Sequence, residues 1–238
     1  LKILNILTVK WGDKYSSEYV NTLYDTISDC NFYCYTEDPT DLNPNINVIP
    51  IDNELEGVWN KLSMFQKGFG GIEGKIMYLD LDVVIQKDLT DLYESTEGFT
   101  MVECYWKPLT ELYTSNHYSI KTDMNINSSV MIWNQDENTH IWDKFMEDPE
   151  WYMLKYLGID RFIFWEKLTN NFFKELLIYS RLYGINAMNG WYNVWTRAYY
   201  HKEAYICLMN GNTSTQDYVE LRNDINKHID PYLYTIQI

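Results

Sequence analysis

The sequence predicts an α/β fold with a mostly parallel central sheet and helices on both faces. Short apolar, β-branched runs alternate with stretches whose apolar residues recur at helical spacing, the pattern of βαβ units. With 238 residues, 46% of them hydrophobic, the chain can bury a substantial core. No internal repeat, low-complexity run or Pro/Gly-rich linker interrupts it, so a single domain over residues 1–238 is expected.

Ile3 to Val9 is the first apolar run and reads as a buried strand. Trp11-Gly12-Asp13 turns the chain, and Tyr19, Val20, Leu23, Tyr24 and Ile27 then mark one face of a helix. Asn31 to Tyr35 makes a second strand, stopped by Glu37-Asp38-Pro39, and Asn47 to Ile51 a short third. A helix is expected from about Val58 to Phe69, ended by Gly70, Gly71 and Gly74. Lys75 to Leu81 (KIMYLDL) is the strongest strand of all. Beyond residue 100 the pattern loosens. Strands are expected from Thr100 to Tyr105 and from Ser129 to Trp133. Helices are expected from Asp136 to Phe145, Arg161 to Glu166 and Asn171 to Leu177.

Charge narrows the function classes. The 34 Asp and Glu outnumber the 19 Lys and Arg, for a net charge of -15, which argues against a nucleic-acid backbone as the main ligand. A polyanionic ligand would need a local cluster of basic residues or a bridging metal. Cys30, Cys34, Cys104 and Cys207 form no CxxC pair and are too sparse for a disulfide framework, so a reducing compartment is expected. The apolar runs are far below the ~20 residues that span a bilayer. A soluble, cytoplasmic protein without a transmembrane segment is the expectation. Aromatic residues make up 16% of the chain, and core filling accounts for most of them. The stretch 189–201 is dense in Trp and Tyr and contains Arg197. Core packing is the first reading it allows; stacking on a bound ring, or Arg197 facing a phosphate, is the other.

The most informative residues are Tyr78-Leu79-Asp80-Leu81-Asp82. Two carboxylates two apart at the end of a strand share a face, ~6.6 Å apart at ~3.3 Å per residue. A bend at the strand end brings both within reach of one divalent cation. Ligands of open α/β sheets bind at the carboxyl ends of strands, where this pair falls. An EF-hand is excluded, because Ile85 stands where the calcium loop needs Gly. Two chemistries use such a pair. In one, D-x-D holds a metal on the diphosphate of a nucleotide-sugar. In the other, D-x-D-x-[TV] opens a haloacid-dehalogenase-like phosphatase, with Asp80 as nucleophile and Asp82 as general acid. That second motif ends the first strand of its domain, whereas about eighty residues of α/β pattern precede Asp80.

Four segments in order resemble the GT-A glycosyltransferases, most closely the glycogenin-like family eight and its bacterial and phage relatives. They are Ile6-Leu7-Thr8 leading to Tyr15 and Tyr19-Val20, then Trp59-Asn60-Lys61-Leu62 with Phe65, then the Y-L-D-L-D of residues 78–82, then Asn127-Ser128-Ser129-Val130. The resemblance implies a single GT-A-like, Rossmann-like domain, with about 1–100 as the nucleotide-binding half and about 101–238 as the acceptor half. It implies metal-assisted transfer of a sugar from a UDP-linked donor to a hydroxyl acceptor such as a saccharide, with retention and with Mn or Mg. Thr8, Tyr15 and Lys61 would hold the nucleotide, Tyr15 by stacking on the base. Asp80 and Asp82 would hold the metal, and Asn127 and Asp160 would line the donor sugar as catalytic residues. The family ends with a His that binds the metal and a Lys that binds the diphosphate. The matching stretch here, Ile206 to Gln216, has neither, and Asn210 stands at the metal-ligand position. A nucleotide- or sugar-binding relative without activity is a further reading consistent with that departure.

Overall fold

A computed structural model describes residues 3–52, 55–104, 124–169, 171–174, 176–180 and 203–209. Its contacts divide the chain into two compact units. The first contains Leu1–Leu81, Thr90–Val102 and Ile126–Phe172; the second contains Asp82–Leu89, Glu103–Asn125 and Phe173–Ile238.

The first unit is built on strand β1, Leu4–Lys10, whose residues are almost all buried. Helix α1, Ser17–Asp25, buries Val20 and Leu23 and carries the chain to β2, Cys30–Thr36, parallel to β1 with Thr8 opposite Cys34. Strand β3, Asn47–Pro50, extends the parallel edge. Then β4, Lys75–Leu79, enters beside β1 on its other side, Leu7 opposite Tyr78. Strand β7, Ile126–Asn134, runs antiparallel to β4 with Leu79 opposite Val130. With β6, Thr100–Glu103, and β8, Asn171–Phe172, these make a seven-stranded, mostly parallel sheet in the order β3-β2-β1-β4-β7-β6-β8. The expected α/β class with a mostly parallel central sheet is therefore observed.

Alternation along the strands sorts the core. Leu7, Val9, Tyr78, Met131 and Trp133 join one apolar cluster with Trp59, Leu62 and Phe65 of a 3-10 segment, Gly57–Phe65. Phe145 of α3 (Thr139–Phe145), Tyr152 and Tyr156 of α4 (Pro149–Tyr156) and Phe162 of α5 (Ile159–Trp165) complete it. The Phe145 ring stacks on Trp59 with centroids 5.5 Å apart and meets Phe162 edge-on at 5.7 Å.

The short helix α2, Thr90–Ser95, is held by Lys75, whose ammonium donates to the carbonyls of Tyr93 and Thr96 at 2.8 and 2.7 Å. These are C-terminal carbonyls that lack helical partners. Among the described residues no helix is long and apolar enough to cross a membrane.

The second unit contains a three-stranded sheet in which β10, Ile206–Leu208, pairs antiparallel with β5, Val83–Ile85, and parallel with β9, Ile178–Ser180. Lys87 and Glu203 form an ion pair at 3.2 Å beside it.

Three expectations need correction. The helix expected from Asn171 to Leu177 is instead a strand, Asn171–Phe172, and a turn in which Leu176 has φ 69°. Pairing with Thr100 and Met101 decides this, since a sheet neighbour outweighs local propensity. The helix expected from Val58 to Phe69 is a 3-10 segment that stops at Phe65, followed by a turn at Phe69–Gly71. The strand expected to run to Leu81 ends at Leu79.

Candidate active site

Tyr78 and Asp80 are two residues apart and share a face, and the Tyr78 hydroxyl donates to Asp80 Oδ1 at 2.5 Å. The same oxygen takes the ammonium of Lys61 at 2.6 Å. Lys61 is only 6% exposed because the 3-10 segment that carries it is buried along most of its length. Its Nζ lies 5.0 Å from the centre of the Tyr78 ring. A buried ammonium is costly unless it is paired, so Asp80 is the group that makes this position tolerable. Asp80 itself keeps 22% of its side chain open.

The end of β7 is closed by side chains. Asp80 N donates to the carbonyl of Ser129 at 2.8 Å, extending the ladder one step past β4. The Ser129 amide donates to Asn127 Oδ1 at 2.9 Å, and the Ser128 amide to Asp160 Oδ1 at 3.0 Å. Asp160 sits in the first turn of α5. Burial pushes its pKa up and the nearby Asp80 charge adds to this, while the Ser128 bond and Lys61 pull it down. The sum is upward. A carboxyl whose folded pKa is raised favours the fold at low pH, and that contribution is lost as pH rises through the folded value. Asp160→Asn should therefore melt at a higher temperature than the wild type at pH 7. The difference should shrink as pH falls from the raised folded value toward the ordinary Asp value of ~3.9 and stay constant below it, in thermal melts across that range.

Lys61, Asp80, Asn127 and Asp160 are thus brought together at the carboxyl end of β4. Tyr78 and Ser128 complete the arrangement and were missed. For Tyr78 the signal was available, since strand alternation puts it on the face of Asp80. Ser128 contributes its amide and also a side-chain hydrogen bond to Asp160 that favours the charged carboxylate.

The other expected residues fall elsewhere. Thr8 has no exposed surface, and its hydroxyl is buried without a hydrogen-bond partner among the described residues. Tyr15 is half-buried, meets Tyr19 edge-on at 5.0 Å and has Lys14 Nζ 4.6 Å from its ring centre. It lines a polar cavity of about 690 Å³ together with Lys10, Ser17, Asn21, Asp38 and Asp41. Lys61, Asp80, Asn127 and Asp160 do not line that cavity. Lys10, also missed, is buried and donates to the carbonyl of Asp38 at 3.3 Å. Asp82 opens the second unit, where its carbonyl accepts from the amide of Met209 at 3.2 Å. Asn210, next in sequence, lies outside the described residues, as does the stretch 189–201.

Asp80 suits a hard divalent cation, being a carboxylate with part of its side chain exposed. No group of three or more His, Cys, Asp or Glu that could hold a metal occurs among the described residues. A cation here would need further oxygens from a bound diphosphate.

No family model matches the sequence, and no curated protein does. Solved structures match in fold. The galactosyltransferase LgtC, in complex with donor and acceptor sugar analogues, aligns with a TM-score of 0.57 and 12% identity over 99% of this chain and 98% of that one. The bifunctional glycosyltransferase WbbM in its apo structure aligns at 0.55 with 11% identity, over 94% of this chain and 51% of that one. Mouse xyloside xylosyltransferase 1, apo form, aligns at 0.50 with 13% identity, over 90% of this chain and 99% of that one. The chain has the GT-A-like fold these glycosyltransferases share.

Proposed function

We propose that the chain is a glycosyltransferase that moves a sugar from a UDP-linked donor to a hydroxyl acceptor such as a saccharide, with retention at the anomeric carbon. The observation that carries this reading is the Lys61–Asp80–Asp160 cluster at the carboxyl end of β4, in a fold shared with glycosyltransferases. The carboxylates accept from sugar hydroxyls and the ammonium donates to them, which orients the donor. The position of the D-x-D on the fourth strand in sequence, at the centre of the sheet, favours transfer over the phosphatase chemistry that uses a first-strand aspartate.

In the reaction the donor's C1–O bond breaks with its electron pair leaving on the diphosphate. An acceptor oxygen bonds C1, and its proton passes to the diphosphate. A Mn or Mg ion on Asp80 and Asp82 would supply Lewis-acid neutralisation of that leaving group. Asn210 remains the proposed third ligand on the sequence pattern alone. Residues 1–100 serve the nucleotide, with Thr8 and Tyr15 near the base, and 101–238 serve the acceptor, within one transferase domain.

Calorimetry with UDP and Mn tests the reading. The wild type should bind, and Asp82→Ala should bind at least about tenfold more weakly if it contributes one charged ligand. Equal affinities would remove Asp82 from the site. Tyr15→Ala should weaken UDP by about 1–3 kcal/mol if the ring stacks on the base. Unchanged affinity with an intact circular dichroism spectrum would return Tyr15 to a packing role.

A further inference from the structure

Helix α4 turns an apolar face to water. Tyr152 and Tyr156 are buried on its inner side. Trp151, Leu154 and Leu157, spaced three apart, form a row on the outer side and are 52%, 73% and 65% exposed. Met146, just before the helix, is about half exposed, and so is Trp165 at the end of α5, which the Lys155–Glu166 ion pair at 3.3 Å ties to the end of α4. These side chains expose on the order of 500 Å² of apolar surface. That matches the largest patch on a typical monomer and is more than half of the ~800 Å² one partner gives to a specific interface.

Leu157 is the least expected of them. It ends α4 with φ 56°, the left-handed conformation that glycine adopts freely and a larger side chain adopts under strain. A leucine held there gains nothing from exposure to water, and a covering partner accounts for it.

The charges favour one partner. Between Asp143 and Lys167 stand six carboxylates and four cations, in a chain of net charge -15, so an anionic bilayer or a nucleic acid is repelled. On α4 itself the signs are separated, with Glu150 in the first turn and Lys155 in the last. At about 100° per residue they fall on opposite flanks of the Trp151–Leu154 row. Glu150 makes no ion pair among the described residues, and Lys155 stays 41% exposed beside Glu166. A two-fold axis that lays the row on its own copy, with the two helices crossing, sets Glu150 of each copy against Lys155 of the other. The face is complementary to itself in both polarity and charge.

We propose that α4 forms the interface of a homodimer, with Trp151 and Leu154 at its centre and reciprocal Glu150–Lys155 pairs on its rim. This stands independently of the transferase reading.

Sedimentation velocity on the full chain at about 1–100 µM tests it. The wild type should pass from monomer to dimer across that range. Trp151→Ala should raise the dimer Kd at least about thirtyfold, because each dimer loses the ring twice. Leu154→Glu should be monomeric throughout. Glu150→Lys and Lys155→Glu should each weaken the dimer about three- to tenfold by setting like charges together. The double variant, which restores both pairs in reverse, should return to within about twofold of the wild type. Circular dichroism of each variant should match the wild type, since all four side chains are on the surface. A wild type still monomeric at about 100 µM overturns the proposal, as does a dimer that survives Leu154→Glu or a double variant no tighter than the singles. A monomer that floats with phosphatidylcholine vesicles, and fails to with Leu154→Glu, gives the face to a bilayer and also overturns it.

Discussion

Asp80→Ala is expected to lower sugar transfer by about two to three orders of magnitude, and to weaken the fold as well. The two losses have different origins. Activity falls because Asp80 is the proposed anchor of the cation and of a sugar hydroxyl. Stability falls because Lys61, 6% exposed, is left with an uncompensated charge, a situation that costs about 3–5 kcal/mol when a buried pair is broken. Asp80 is itself partly open to water, so the lower end of that range applies. The double variant Lys61→Met, Asp80→Ala removes the stranded charge and should recover much of the stability with none of the activity. Urea midpoints and transfer rates on the wild type, both singles and the double separate the effects. A double variant no more stable than Asp80→Ala would show that the ion pair does not account for the loss.

Phe145→Ala should be the most destabilising of the core truncations near the site, by about 3–5 kcal/mol. Phe145 is fully buried, and its ring touches Trp59, Trp142, Tyr152 and Phe162. Trp59 is two residues from Lys61, and Phe162 two from Asp160. The ring therefore braces both the 3-10 segment and the helix that present those charged groups. Besides the lower urea midpoint, donor KM should rise in conditions where the variant is fully folded, because the two groups are no longer held in register. A variant that loses stability with an unchanged KM would confine Phe145 to the core.

The parts of this molecule that could be read in the sequence are those where local pattern and tertiary demand agree. KIMYL is apolar at nearly every position because β4 is central and buried on both faces. Helix Pro149–Tyr156 was missed although Asp148 caps it by accepting from Trp151 N at 3.1 Å and Pro149 begins it. Its exposed face carries Trp151 and Leu154, so no clean apolar stripe stands out. The 3-10 geometry of Gly57–Phe65 was likewise hidden, since Leu62 and Phe65 suit either helix type. Around β4, the D-x-D spacing and the resemblance had singled out Asp80, Lys61, Asn127 and Asp160, which the fold places near one another. Their mutual distances were invisible, because Lys61 and Asp160 reach Asp80 from elements far apart in the chain. The burial of Lys10 had no sequence signal beyond a charge at the end of an apolar strand.

Thr8 shows where the demands on a residue diverge. Its hydroxyl is enclosed near the end of β1 with no partner among the described residues, and a side chain of the same shape without that oxygen would spare the fold the desolvation of an unsatisfied polar atom. Selection for stability alone would favour valine at this position. On the proposal that Thr8 serves the nucleotide, its hydroxyl is a trade-off between robustness and use, leaving the strand below its attainable stability until a ligand supplies the missing partner.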